Sequence, residues 1–169
     1  MSAAFRIEPL ASRERSGFTC GDEALDHYFR AVVNQDVRRR LASCFVAVEA
    51  LTGSIAAFYT IASAAIPTPE LPVAITKRLP RYPTLPAVRI GRLAVDVGFQ
   101  RRGLGGALLA DAGAKALQQP AAAFALLVDA KNDAGVAFYE HHGFLRFESR
   151  SRTLFLPLAT VAKAFGQAR

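Results

Sequence analysis

A glycine-rich turn between a predicted strand and a predicted helix is the first segment whose residue types could bind a ligand. It reads Gln100-Arg101-Arg102-Gly103-Leu104-Gly105-Gly106, after an apolar run that ends at Val95. Glycines let the backbone approach a ligand closely, and the N–H groups at a helix N-terminus attract anions. The segment therefore predicts an anion site suited to a pyrophosphate.

Two common phosphate loops do not fit this turn. A Walker A loop ends in Gly-Lys-Ser/Thr, which the sequence lacks. The dinucleotide fingerprint needs a third glycine where this chain has Leu108. Gly103-Leu104-Gly105 alone is also compatible with a purely structural turn, so its interpretation depends on the rest of the sequence.

A second polar segment follows further along the chain. Asn132 comes just after a predicted strand, and it can cap the next helix or hydrogen-bond a ligand that contains amides. Tyr139 lies inside that helix, either as a half-buried tyrosine with a satisfied hydroxyl or as a proton donor. A tyrosine of pKa near 10 stays protonated at neutral pH and can protonate a thiolate of pKa about 8.5.

Hydrophobic periodicity predicts the elements that must position these residues. Hairpins come first, six prolines between Pro67 and Pro86 interrupt the pattern, and strand–helix–strand–helix–strand follows. That order predicts an α+β fold around one mixed sheet. The predicted strands are 5–7, 44–49, 55–61, 88–95, 123–128, 144–147 and 153–156, and the predicted helices are one ending near 38, 73–79, one ending at 117, 133–142 and one from 159.

The composition is that of a globular chain. It has 169 residues, 51% of them hydrophobic and 21% charged, which predicts one domain over 1–169 and excludes a disordered chain. No apolar run approaches the roughly 18–20 residues that cross a bilayer, and charge comes too early at the N-terminus for a signal peptide. We expect a cytoplasmic protein without a membrane partner. Cys20 and Cys44 match neither a disulfide framework nor a zinc site, so no metal is expected.

Arginine dominates the positive charge. Lysine plus arginine is 21 and aspartate plus glutamate is 14, a net charge of +7, and only four of the cations are lysines. The planar guanidinium binds phosphate oxygens in pairs, so the composition favours a ligand that carries phosphates, nucleic acid among them. A high-GC coding bias is the alternative explanation of the same excess.

Together the two polar segments resemble the GNAT superfamily of acyl-CoA-dependent N-acyltransferases. Gln100-x-x-Gly103-x-Gly105 is similar to its pyrophosphate loop, and Asn132 with Ala137-Phe138-Tyr139-Glu140-x-x-Gly143-Phe144 is similar to its second CoA-facing segment. The resemblance implies a six- or seven-stranded, mostly antiparallel mixed sheet with a V-shaped opening for acetyl-CoA. The cofactor-binding residues that it implies are Leu93, Ala94, Val95, Gln100, Arg101, Arg102, Gly103, Leu104, Gly105, Gly106, Asn132 and Phe138.

The same resemblance implies direct attack of a substrate amine on the acetyl carbonyl. A backbone N–H near the end of strand 88–95 stabilises the oxyanion, and Tyr139 is the catalytic general acid that protonates the departing thiolate. The sequence shows no clear general base. The residues considered, each more often a surface or capping residue, are Glu140, Asp129, His27, His141 and His142.

A narrower resemblance spans nearly the whole chain. The segments Phe18-x-Cys20-Gly21-x-x-x-Leu25-Asp26-x-Tyr28, Lys77-Arg78-Leu79-Pro80-x-Tyr82-Pro83 and Gly91-Arg92-Leu93-Ala94-Val95-Asp96 are similar to the TacT-type toxins. This resemblance implies acetylation of the α-amino group of aminoacyl-tRNA, a ribbon-helix-helix antitoxin as partner and a homodimer. The candidate tRNA-binding residues are Arg78, Arg81 and Arg92.

Two other functions remain open from the sequence. One is a GNAT enzyme that acetylates a small amine, an antibiotic or a protein N-terminus, although the charge of +7 disfavours cationic substrates. The other is a regulator that binds CoA without catalysis, against which Tyr139 and Gln100-x-x-Gly103 argue. The missing base fits aminoacyl-tRNA, whose α-amine has a pKa at or below about 7.7–8.0 and is partly neutral at pH 7.

Overall fold

The computed structural model describes residues 4–167, and no helix in this range is long and apolar enough to cross a membrane. The strands are β1 (Phe5–Pro9), β2 (Ser43–Glu49), β3 (Ile55–Pro67), β4 (Thr84–Val95), β5 (Ala125–Asp129), β6 (Leu145–Arg146) and β7 (Thr153–Pro157). The helices are α1 (Glu23–His27), α2 (Val33–Arg38), α3 (Val73–Thr76), α4 (Leu104–Gln118), α5 (Asp133–His141) and α6 (Leu158–Gln167), with a π turn at Tyr28–Val32 and 3-10 turns at Thr68–Glu70 and Val97–Phe99.

The strands within residues 4–167 form one seven-stranded sheet in the order β1-β2-β3-β4-β5-β7-β6. β1 pairs antiparallel with β2, β2 with β3, and β7 with both β5 and β6. The sheet is mixed, is not closed and is flanked by helices. The predicted α+β fold around one mixed sheet is therefore confirmed.

The predicted elements differ from the observed ones mainly at their ends. β3 runs to Pro67 and β4 begins at Thr84, so both strands reach into the segment between Pro67 and Pro86 that is rich in proline. Proline is tolerated at strand ends, where no ladder hydrogen bond is required of it. The strand predicted over 144–147 is shorter and consists of Leu145–Arg146.

The predicted helix that ends near Arg38 is interrupted. Asp22 caps α1 by accepting the N–H groups of Ala24 at 3.0 Å and Leu25 at 3.3 Å. The π turn then separates α1 from α2. A π turn holds more residues than an α-helical turn, which places Tyr28 and Phe29 together on the buried side.

The described residues divide into two compact units. The first unit contains the residues up to Ala62 together with Ile90–Ala112, and the second contains Ser63–Arg89 and the residues from Gly113. In the core of the first unit, Phe29 stacks on Phe58 with ring centroids 4.1 Å apart. One domain over 1–169 stays a prediction.

The second unit has its own apolar core, to which β3, β4, β5 and β7 contribute. Leu71, which follows β3, is buried in this core together with Leu127 and Phe155. Ile75 and Leu79 pack against the same cluster from the segment between β3 and β4. That proline-rich segment is therefore anchored to the core.

A buried carboxylate organises part of the first unit. Asp26 is 6% exposed, and its oxygens accept the Cys20 N–H at 2.8 Å and the Thr19 hydroxyl at 3.0 Å. Burial raises the pKa of Asp26, but these hydrogen bonds and Arg30, 3.9 Å away, lower it by more, so that the pKa lies below its ordinary value. As a carboxylate, Asp26 holds the Thr19 side chain and the Cys20 backbone.

Replacing Asp26 by asparagine should lower the free energy of unfolding at pH 7 by about 1.5–3 kcal/mol, because an amide replaces a carboxylate that accepts on both oxygens. Folding lowers the pKa of Asp26. Its contribution is therefore complete above the unfolded pKa of about 3.9 and is lost as the pH falls through the folded value.

Urea unfolding of both proteins at pH 7 and pH 3 measures this effect, and the difference between them should be smaller at pH 3. Glu23→Gln, on the exposed side of the same helix, is the control and should change little at either pH. An undiminished difference at pH 3 would contradict the role given to the carboxylate.

Candidate functional site

The segment between β4 and α4 is held by hydrogen bonds to Thr19. The Asp96 side chain accepts the Thr19 N–H at 3.0 Å through Oδ2 and the Gly98 N–H at 2.8 Å through Oδ1. The Thr19 carbonyl accepts the Val97 N–H at 2.8 Å. These bonds fix the chain as it leaves β4.

The side chain of Gln100 also holds the segment between β4 and α4. Its side-chain NH₂ group donates to the carbonyl oxygen of Val95 at 3.0 Å and to that of Cys20 at 3.3 Å. The sequence predicted Gln100 and Val95 as cofactor contacts. In the described structure, their side-chain and backbone groups bind each other and close the turn.

The turn has the backbone geometry of an anion site. Arg101 has a φ of +65° and Gly103 a φ of +79°, and a Cβ atom at Gly103 would have no neighbour within 4 Å. The Ala107 N–H donates to the Gly103 carbonyl at 3.1 Å, which begins the hydrogen-bond ladder of α4. The earlier N–H groups of the helix have no acceptor within it and lie at its positive end. Residues 101–106 can therefore hold a phosphate group.

Side chains near the turn add charge and fix its orientation. The Arg102 guanidinium lies 5.2 Å from the Phe99 ring centroid. Leu104, the first residue of α4, is buried and anchors the start of that helix. On β4, Ala94 is buried and its neighbours at 93 and 95 are half-buried. The structure thus places the predicted cofactor residues 93–95 and 100–106 in the first unit.

Arg92 lies on β4 and stacks on Tyr28 of the first unit. Its guanidinium is 3.7 Å from the ring centroid, and its N–H donates to Thr60 Oγ1 at 3.0 Å. The Tyr28 hydroxyl donates to Asp36 at 2.7 Å, and burial together with this bond raises the pKa of Tyr28. Arg92 is thus an exposed cation in a fixed position. Sequence reasoning missed Tyr28, Thr60 and Asp36 as its supports, because contacts between distant positions leave no local pattern.

The second unit contains the other predicted residues. Asn132 is the N-cap of α5, and its Oδ1 accepts the Gly135 N–H at 2.9 Å. Of the two roles predicted for Asn132, the cap is therefore present. A contact between Asn132 and a cofactor stays a prediction.

Tyr139 lies half-buried on α5 within a group of aromatic rings. Its ring packs edge-on against Phe138 and Phe144, with centroids 5.1 and 5.4 Å away. Burial raises the pKa of Tyr139 to about 12, so its hydroxyl stays protonated across the neutral range. The protonated form that a general acid requires is therefore present at any physiological pH.

The other three tyrosines have different surroundings. The hydroxyls of Tyr28 and Tyr59 donate to the carboxylates of Asp36 and Asp111. Tyr82 is 61% exposed. Tyr139 is therefore the half-buried tyrosine of the four, which favours it as the proton donor.

Two acids that the sequence offered as general bases are held in ion pairs. Glu140 binds Arg146 through both oxygens at 2.8 and 3.0 Å, and this hydrogen bonding lowers the pKa of Glu140. Asp129 pairs with Arg89 and also accepts the Thr153 hydroxyl at 2.7 Å. Glu140 is therefore a weaker proton acceptor than an unpaired glutamate, and both oxygens of Asp129 are engaged by Arg89 and Thr153.

His142 is a basic group that sequence reasoning assigned to capping. Its ring packs against Phe138, with centroids 4.8 Å apart. Partial burial and the neighbouring His141 lower the pKa of His142, so its imidazole is largely neutral at pH 7. Its closeness to the predicted cofactor contact Phe138 follows from the helical i, i+4 spacing, which could have identified it.

The predicted tRNA-binding arginines lie in both units. Arg92 belongs to the first unit, whereas Arg78 and Arg81 belong to the second, in the proline-rich segment before β4. Both side chains in that segment are exposed. Binding of tRNA by these three residues stays a prediction.

Comparisons with known proteins show relatives over nearly the whole chain. Residues 75–158 match the acetyltransferase (GNAT) domain family. A probable toxin TacT from Sinorhizobium fredii is 29% identical over 171 residues, which cover 95% of this chain and 94% of that protein. A tRNA-acetylating toxin from Mycobacterium tuberculosis is 32% identical over 131 residues, which cover 76% of each chain.

Solved structures with the same fold include further toxins. A tyrosine-to-phenylalanine mutant of KacT has a TM-score of 0.88 at 26% identity, covering 96% of this chain and 99% of that one. AtaT complexed with acetyl-methionyl-tRNAfMet has a TM-score of 0.86 at 25% identity, covering 95% and 99%. AtaTR bound with acetyl-CoA has a TM-score of 0.78 at 26% identity, covering 96% and 98%.

Replacing Gln100 by alanine should weaken the binding of inorganic pyrophosphate about tenfold, equivalent to about 1.4 kcal/mol, because the turn loses both hydrogen bonds that close it. Isothermal titration calorimetry measures the affinity. Gln119→Ala, an exposed glutamine beyond the end of α4, is the matched control. Equal affinities of the Gln100 variant and the wild type would show that the amide does not shape the site.

Proposed function

This chain belongs to the GNAT family of acetyltransferases, and on that basis we propose that it transfers the acetyl group of acetyl-CoA to the α-amino group of aminoacyl-tRNA. The TacT and tRNA-acetylating relatives and the AtaT complex with acetyl-methionyl-tRNAfMet support this substrate. Acetylation removes the nucleophilic amine that peptide-bond formation needs. The protein would therefore act as a toxin that blocks translation.

The observation that carries the proposal is the turn between β4 and α4. Its left-handed residues Arg101 and Gly103 and the N–H groups at the start of α4 suit a pyrophosphate, and the open space at Gly103 leaves room for it. Acetyl-CoA supplies the thioester that the amine attacks. Residues 101–106 hold its pyrophosphate, the backbone of 93–95 holds its pantetheine, and Asn132 and Phe138 make further contacts.

In the proposed reaction the neutral α-amine attacks the acetyl carbon directly. A carbon–nitrogen bond forms, the carbon–sulfur bond breaks, and a backbone N–H near the end of β4 stabilises the oxyanion between these events. The Tyr139 hydroxyl gives its proton to the departing sulfur. The nitrogen releases one proton to solvent, from which Tyr139 regains its own, so no covalent enzyme intermediate is required.

The proposed reaction does not require a strong general base. Glu140 and Asp129 are paired with arginines, and the α-amine of an aminoacyl ester needs little help because its pKa is at or below about 7.7–8.0. A substantial fraction of such an amine is neutral at pH 7. The reaction therefore suits this substrate.

The positive charge supports a polyanionic substrate. A net charge of +7 attracts tRNA phosphates, and we assign phosphate contacts to Arg78, Arg81 and Arg92. A toxin that acts on the cell's own tRNA must be neutralised, so we also propose a ribbon-helix-helix antitoxin as partner. The proposed substrate places the enzyme in the cytoplasm, and the homodimer implied by the resemblance stays a prediction.

Transfer of labelled acetyl from acetyl-CoA to total charged tRNA tests the proposed function. The parallel acceptors are deacylated tRNA, peptides and a panel of free amines. Label on charged tRNA that is absent from deacylated tRNA is expected. Label confined to a small amine or a peptide would support acetyltransferase activity but refute tRNA as the substrate. Label on no acceptor would favour a regulator that binds CoA.

Replacing Tyr139 by phenylalanine should lower kcat by about 10²–10⁴-fold, the usual contribution of a general acid. The affinity for acetyl-CoA should be retained, because phenylalanine keeps the ring that packs against Phe138 and Phe144. Single-turnover kinetics and calorimetry measure the two quantities. An unchanged kcat would remove Tyr139 from the mechanism.

The pH dependence should show one rising limb. Between pH 6 and 8, kcat/KM should increase as the α-amine loses its proton, with a pKa at or below about 7.7–8.0. The Tyr139 acid is protonated below its pKa of about 12, so activity should stay level to pH 10. After correction for ester hydrolysis, a fall to half by pH 10 would show that Tyr139 titrates at the ordinary tyrosine value.

A further inference from the structure

A groove of about 460 Å³ opens in the second unit, in the segment between β3 and β4. Its lining includes three prolines, Pro69, Pro80 and Pro83. It also includes two cations and an aromatic ring, from Lys77, Arg81 and Tyr82. The groove contains neither Tyr139 nor any residue of the turn before α4.

The groove is formed before any ligand binds. Thr68 donates through its hydroxyl to the Tyr82 carbonyl at 2.5 Å and through its N–H to the Pro83 carbonyl at 3.0 Å. The prolines that line the groove fix the backbone angle φ at their positions. Leu71, which also lines the groove, is buried in the core of the second unit. The groove residues therefore lose little conformational entropy when a ligand binds.

The groove combines an exposed aromatic ring with unpaired positive charge. Tyr82 is 61% exposed. Within residues 4–167, neither Lys77 nor Arg81 forms an ion pair. Glu70, the acid of segment 68–83, is paired with Arg150 at 2.7 Å and so does not neutralise them.

We propose that this groove binds the single-stranded 3′ end of the tRNA substrate, with a base stacked on Tyr82 and phosphates on Lys77 and Arg81. Single-stranded RNA presents flat unpaired bases and a phosphate chain together, which are the two features that this groove complements. An acidic peptide would satisfy the cations but leave the ring unused. The inference rests on the proposed function for the identity of the RNA, and it adds a subsite to it.

Fluorescence anisotropy with a labelled single-stranded RNA dodecamer ending in CCA tests the groove directly on the full chain. Tyr82→Ala should raise Kd about 5- to 150-fold, the range that corresponds to loss of one stacked base. Tyr82→Phe keeps the ring and should bind as the wild type does. Tyr82 is exposed, and equal thermal unfolding of the two variants checks that they fold.

The contribution of positive charge to RNA binding is tested by a second pair of variants. Lys77→Ala should raise Kd and reduce the slope of log Kd against log salt by about 0.7, as expected for one lost phosphate contact to a single strand. Lys163→Ala removes the same charge from the exposed side of α6 and should do neither. Equal effects of the two variants would show a general attraction and overturn the subsite.

Acetyl transfer by the same variants separates this inference from the proposed function. With charged tRNA, Tyr82→Ala should raise KM and keep kcat. If the wild type acetylates charged tRNA but Tyr82→Ala binds RNA normally, the groove is refuted and the proposed function stands. If RNA binding depends on Tyr82 and Lys77 but no tRNA is acetylated, the groove is supported and the proposed function fails.

Discussion

The buried carboxylate of Asp26 is the interaction on which the candidate anion site depends. It accepts one hydrogen bond from the Thr19 side-chain hydroxyl and one from the Cys20 backbone N–H. Those two residues bind Asp96 and Gln100, which shape the turn between β4 and α4. A charge buried far along the chain from the glycines therefore supports the residues that hold the turn. Burial raises the pKa of Asp26, but its hydrogen bonds and the charge of Arg30 more than offset that effect, so the pKa is lowered.

Ion pairing determines which of the many arginines are available to bind a substrate. Acids bind several of them and cancel their charge locally, as in the pairs Arg13–Glu8, Arg89–Asp129, Arg146–Glu140, Arg150–Glu70 and Arg152–Asp133. The cations left over include Lys77 and Arg81 beside Tyr82, and Arg92 stacked on Tyr28. The net charge of +7 thus becomes informative only when the pairs are known. The excess of arginine alone did not distinguish these positions.

The parts of the site that were predictable from sequence are the local ones. Glycines at 103, 105 and 106 and the cap at Asn132 are fixed by near neighbours, so their pattern is visible along the chain. Gln100 was recognised, but as a ligand contact, because nothing local shows that its amide reaches the Cys20 carbonyl. The π turn and the groove around Tyr82 depend on packing against distant residues. Periodicity therefore predicted the sheet and most helices but could not predict these features.

The state of the acids limits which amines the proposed chemistry can use. Glu140 and Asp129 are both paired with arginines, so the proposed chemistry favours a substrate that supplies its own neutral amine. At pH 7 a lysine amine of pKa about 10.4 is neutral in only about 1 molecule in 2,500, whereas an α-amine of pKa about 7.7 is neutral in about 1 in 6. An aminoacyl ester lies at or beyond the favourable end of that range. The same ion pairs that neutralise part of the positive surface thus favour an aminoacyl-tRNA over a side-chain or polyamine substrate.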